Sequence, residues 1–158
     1  MFKKILVPID GSKHAHTALK TALELAKIHD SELEILHVTS YSEEYASMGP
    51  ESGADEMSDE SASPPEWIEE YLAKLRENDE KMLSEALKDA ENLYPELKIK
   101  AKLLWGRPGK IIVSEAEEGG FDLVVIGSRG MGSLAGLVLG SISQHVVNES
   151  KTPVLVVK

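Results

Sequence analysis

The 158-residue chain has no cysteine, which removes disulfide frameworks, thiolate metal sites and cysteine nucleophiles before any motif is sought. It also lacks long apolar runs. Stretches such as Ile5 to Ile9 and Val154 to Val157 fall far short of the ~18 residues needed to span a bilayer. Lys3 and Lys4 do precede an apolar stretch, but Asp10 ends it before it reaches the roughly 7 to 15 residues of a signal-peptide core. These absences point to a soluble, cytoplasmic protein with no membrane partner. An excess of positive charge is missing too. Seventeen basic against 27 acidic residues leave a net charge of −10, which argues against general affinity for nucleic acid or anionic lipid. That charge is unevenly spread: residues 43–96 hold 17 of the acids and 4 of the bases, while the rest of the chain carries +3. An anionic ligand bound by the outer segments would not meet the full −10.

Several catalytic signatures are absent. There is no Gly-x4-Gly-Lys-Ser/Thr loop, no Gly-x-Gly-x-x-Gly after the first strand and no Gly-x-Ser-x-Gly elbow, so kinase-like, GTPase-like, dehydrogenase and hydrolase readings lose their main support. The histidines, at 14, 16, 29, 37 and 145, are too scattered for a metal set, and His14 and His16 face different ways on a helix. No repeat of solenoid or propeller period occurs.

What is present is alternation. Lys3 to Ile9 reads as a strand buried on both faces and ended by Asp10, Gly11 and Ser12. Ala15, Ala18, Leu19, Ala22, Leu23 and Ala26 then keep helical spacing, with Ser12 as the N-cap, and Leu33 to Val38 is the next strand. Residues 42–65 change to Ser, Glu, Asp, Gly and Pro and predict an acidic, flexible insertion. From Trp67 to Leu93 helical spacing returns for about seven turns, up to Pro95. Leu97 to Leu103 alternates with lysines, as a strand near a sheet edge would. Pro108 opens a helix that Gly119-Gly120 ends, Phe121 to Ile126 is an apolar strand, Ser141 to Asn148 a short helix, and Val154 to Val157 the last strand. Five strands alternating with four helices in one domain, residues 1–158, predict a doubly wound, Rossmann-like parallel sheet with helices on both faces. Ligands in such sheets sit beyond the carboxyl ends of the strands.

Two features of that edge could carry chemistry. Gly127-Ser128-Arg129-Gly130 leaves a buried strand, and nine residues later Gly140-Ser141 opens a helix, so backbone N–H groups can approach an anion at a helix N-terminus. Arg129 lies within the loop, and Ser141 and Ser143 add hydroxyls for capping or for a phosphate oxygen. Asp10, at the end of the first strand, could accept from ribose hydroxyls, help hold a divalent cation, or simply close a turn. Pro8 removes one ladder donor there, and Val38 ends the second strand, where backbone groups could read an adenine edge or the side chain could be plain core.

Lys4-Ile5-Leu6-Val7-Pro8-Ile9-Asp10-Gly11-Ser12, Leu36-His37-Val38, and Gly127-x2-Gly130-x9-Gly140-Ser141 followed by Pro153-Val154-Leu155-Val156-Val157 resemble the universal stress protein family over nearly the whole chain. The resemblance implies strand order 3-2-1-4-5 and, because the glycine motif is intact, the ATP-binding branch. It implies ATP, AMP or ADP as ligand, accompanied by Mg or Mn. Asp10 would meet the ribose, the Val38 backbone would meet adenine, and Gly127 would lie beside the nucleoside. Gly130, Gly140, Ser141 and Ser143 would hold the phosphates, with Pro8, Ile9, Arg129 and Ile142 also at the nucleotide site. The implied function is a stress-response or signalling protein whose nucleotide state gates an unidentified protein partner, with at most slow hydrolysis or autophosphorylation. An adenylyl-transferring enzyme of similar fold and a flavodoxin-like redox carrier are the alternatives, the former without its His-Ile-Gly-His or Ser-Gly-Gly-x-Asp-Ser signature. The apolar edge strand Val154 to Val157 predicts a homodimer, unless the long helix covers that edge.

Overall fold

The computed structural model describes residues 1–40, 66–130 and 139–158. The acidic insertion expected at 42–65 and the middle of the glycine-rich segment, 131–138, lie outside the described residues.

Strand β1 (Lys4–Pro8) leads through Asp10 and Gly11 into helix α1 (Lys13–His29). Ser12 caps that helix by accepting from the Ala15 N–H at 3.2 Å, and Asp30 ends it in the left-handed region at φ 53°. Strand β2 (Glu32–Thr39), helix α2 (Glu66–Leu93), strand β3 (Ile99–Trp105), helix α3 (Pro108–Glu118), strand β4 (Leu123–Gly127), helix α4 (Ser141–Glu149) and strand β5 (Val154–Val157) follow. All five strands pair in parallel in the order β3-β2-β1-β4-β5.

Strand alternation builds two core layers. Ile5, Val7, Leu33, Ile35, Leu123 and Val125 face α1 and α2, where the alanine stripe Ala15, Ala18, Ala22 and Ala26 lets α1 lie close to the sheet. Leu6, Leu36, Val124 and Ile126 face α3 and α4 and pack with Ile112, Ala116, Phe121 and Val146.

Boundaries shift from the sequence pattern by a residue or two at several elements, most at β3 and β4. β3 begins at Ile99 because Leu97 is held in a turn, its N–H donating to the Tyr94 carbonyl, and it runs on to Trp105. Phe121 is outside β4. Its N–H closes α3 on the Ala116 carbonyl, and its buried ring lies 4.4 Å beneath the Lys4 ammonium. The long helix α2 packs on β2 and β3, so it covers the opposite side of the sheet from β5. Among the described residues no helix is long and apolar enough to cross a membrane.

Candidate functional site

The reversal of chain direction across the sheet falls between β1 and β4, and the loops leaving these two strands part there. The gap is a cavity of about 550 Å³. All eleven residues singled out from the sequence line it: Pro8, Ile9, Asp10 and Val38 from the ends of β1 and β2, Gly127, Arg129 and Gly130 from the end of β4, and Gly140, Ser141, Ile142 and Ser143 from the start of α4.

The floor is the N-terminus of α4. Gly140 is its N-cap and offers no side chain, in contrast to Ser12 at α1, so the first-turn N–H groups of α4 have no side-chain cap. The loop is closed from within. The Gly140 N–H donates to the Ser128 carbonyl at 2.7 Å, and the Ser143 hydroxyl, almost wholly buried, donates to the carbonyls of Ser128 and Gly140 at 2.9 and 3.0 Å. Ser143 therefore acts as a clasp between the two ends of the loop, while Ser141 is exposed at the helix start.

The glycines differ in why they are glycine. A Cβ at Gly127 would stand 2.7 Å from the His14 carbonyl carbon, because β4 ends hard against the first turn of α1. That glycine is required by the fold. A Cβ at Gly130 would meet Asp10 Oδ2 at 2.6 Å, which ties the β4 loop to the β1 loop. Gly140 has φ −74° and ψ 164°, open to any residue, and a Cβ there would meet nothing closer than 3.5 Å. Neither backbone nor packing requires glycine at 140.

Asp10 does close a turn, its Oδ1 accepting from the Ser12 N–H at 2.9 Å, and its other oxygen is the one beside Gly130. Val38 is buried by its side chain among the α3–α4 core residues, so only its backbone can serve the cavity.

The cavity is also lined by residues not expected at the site from the sequence, among them His37, Asp79 and Leu75. The His37 Nδ1 lies 2.7 Å from the Ile9 carbonyl, which can only accept, so Nδ1 carries a proton. Its Nε2 lies 3.1 Å from Asp79 Oδ2, which also accepts from the Thr39 hydroxyl at 2.6 Å. The signal was there to read. Leu75, Asp79 and Leu83 are spaced by four residues, so a carboxylate interrupts the apolar stripe of α2.

A second polar cluster lies away from the cavity. Lys102 donates to both carboxylate oxygens of Glu115 at 2.7 and 2.8 Å, and that bond holds its ammonium above the ordinary lysine range. Burial, and next the Glu115 charge, push the neighbouring Glu34 carboxyl up, and its buried Oε1 has no partner among the described residues. Among the described residues no group of three or more His, Asp or Glu could hold a metal ion.

The sequence profile of the Universal stress protein family matches residues 1–158. The universal stress protein YxiE of Bacillus subtilis is 35% identical over 164 residues, covering all of both chains. The solved structure of MJ0577, a universal stress protein of Methanocaldococcus jannaschii, superposes with a TM-score of 0.79 at 32% identity, over 100% of this chain and 96% of that one. A universal stress protein solved in complex with cAMP shares the fold, with a TM-score of 0.67 at 24% identity over 99% and 97% of the two chains. By profile match over its whole length and by relatives that it matches end to end, this chain belongs to the universal stress protein family.

Proposed function

We propose that this protein binds an adenine nucleotide in the cavity between the β1 and β4 loops. The phosphates would lie on the open first turn of α4, against Gly130 and in the space that Gly140 leaves by carrying no side chain. The ribose would lie beside Asp10 and the base against the Val38 backbone. The observation that carries this reading is Gly140, a glycine the fold does not need, at the mouth of a helix whose first-turn N–H groups lack a side-chain cap and face a cavity of about 550 Å³. That volume is in the range of small-molecule sites. An anion gains there from the helix dipole and from backbone donors together.

A divalent ion such as Mg or Mn would arrive on the phosphates, since such ions are held mainly by phosphate oxygens, water and one or two carboxylates, here Asp10. The nucleotide state would gate a protein partner in a cytoplasmic stress response, because ligand contacts draw on β1, β2, β4, α2 and α4 at once. The protein would act as a homodimer through β5. Among the described residues this edge strand pairs only with β4, and Leu155 is 38% exposed.

Titration calorimetry of the purified protein with ATP, ADP and AMP, with mass analysis of any co-purified nucleotide, tests the reading. Dissociation constants of roughly micromolar order are expected, near −8 kcal/mol. Absence of any binding heat at millimolar nucleotide would overturn it.

A further inference from the structure

We propose that Asp79 is the base-selecting residue of the cavity: its carboxylate accepts from the exocyclic amine of a 6-aminopurine and repels a 6-oxopurine. This rests on the adenine-nucleotide reading above and adds to it the group that reads the base.

β4 and α4, at the phosphate end, lie on one side of β1, and β2 lies on the other. The end of β2 is thus the far end of the cavity, where a nucleotide anchored at α4 would present its base. His37 and Thr39 flank Val38 there on the face covered by α2, and both hold Asp79.

Hydrogen-bond capacity then decides the role. Both His37 nitrogens are engaged, one by the Ile9 carbonyl and one by Asp79, so the ring has nothing left for a ligand. Thr39 is buried, and its hydroxyl proton goes to Asp79. The Thr39 bond and the His37 contact converge on Oδ2. The other oxygen, Oδ1, has no protein partner among the described residues, while the side chain lines the cavity and is 18% exposed. A carboxylate oxygen accepts, so Oδ1 is an acceptor. Held from behind by the Thr39 bond and the His37 contact, it offers a fixed lone-pair edge to the base. An amine on the six-membered ring completes that edge; a carbonyl opposes lone pair to lone pair. A site built to hydrogen-bond discriminates strongly, because the wrong ligand leaves a desolvated acceptor unpaired.

The test compares three triphosphates that differ only at the 6-position: ATP, purine riboside triphosphate with hydrogen there, and ITP with a carbonyl. In the wild type the expected order is ATP tightest and ITP weakest, with ATP over ITP by about 10- to 100-fold. In Asp79→Ala the ratio should collapse to within about threefold, because attraction and repulsion vanish together. A purely structural role for Asp79, or contact with ribose hydroxyls, would weaken all three ligands alike and leave the ratio unchanged, which overturns the proposal. So would a wild type that binds ATP and ITP equally, while leaving the nucleotide reading intact. A wild type that binds none of the three overturns both. Should Asp79→Ala fail to fold, Asp79→Asn takes its place: its amide can turn a donor toward the cavity, so the ATP over ITP ratio should fall, and an unchanged ratio overturns the proposal.

Discussion

Gly140→Ala separates ligand binding from folding, because the structure supplies no folding reason for that glycine. Its backbone angles suit alanine, and removing a glycine from the unfolded chain contributes about 0.4–1 kcal/mol of stability. Against this, alanine is a poor N-cap and costs a similar amount, about 0.5–1 kcal/mol. The new methyl would meet the Arg129 Cα at 3.5 Å and the Ser128 carbonyl oxygen at 3.7 Å, ordinary contacts that add no strain. Folding stability should therefore stay within roughly 0.5 kcal/mol of wild type, given these opposing terms. Binding is different. The methyl would stand 3.6 Å from the Gly130 amide nitrogen, on the surface that a phosphate oxygen would use. Losing one backbone bond to a charged oxygen costs about 1.5–3 kcal/mol, or roughly 10- to 150-fold in affinity. Gly127→Ala is the contrasting control. Its methyl collides with the α1 backbone at 2.7 Å, so it should cost about 1–3 kcal/mol of stability through overpacking. Urea denaturation measures the first quantity and calorimetric titration with ATP the second. A Gly140→Ala protein that folds normally and binds ATP with unchanged affinity would refute the phosphate placement.

Asp10→Ala should weaken nucleotide binding by about 1–3 kcal/mol through loss of a charged acceptor, read by the same titration; an unaltered affinity would return Asp10 to its role in the turn with Ser12. Glu34 is held protonated above its ordinary value of 4.5 by burial and by Glu115, so its contribution to stability is full below 4.5 and is lost as pH rises through the elevated folded value. Glu34→Gln, which cannot ionise, should gain on wild type with rising pH in denaturant titrations across that window. A stability difference that does not vary with pH would contradict the assignment. For the dimer, the residue to change is Leu155, which is exposed, because Val156 packs against the α3–α4 core and a charge there would damage the fold itself. Leu155→Lys should shift light scattering from roughly twice the 17.3 kDa chain mass toward one copy, while a monomeric wild type at low micromolar concentration would exclude the interface.

Local periodicity and turn chemistry are properties of neighbouring residues, and they determined most of the fold. The alanine stripe of α1, the Ser12 cap, Pro108 at the start of α3 and the lysine alternation of the edge strand β3 are all legible in sequence order. So was the side of the sheet on which a ligand would lie, since strand–helix alternation fixes which loops stand at the carboxyl edge. Tertiary structure decided what those loops meet. The Asp79–Thr39 bond joins residues 40 positions apart, and only the packing of α2 over the end of β2 makes Asp79 a wall of the cavity instead of one more acid on an acidic helix. Likewise, sequence presents Gly127, Gly130 and Gly140 as one motif. The approach of α1 to β4 and of Asp10 to Gly130 divides that motif into a glycine the fold requires, one that couples two loops, and one that neither backbone nor packing requires. A distance between segments far apart in the chain depends on how whole elements pack, and no local pattern encodes it.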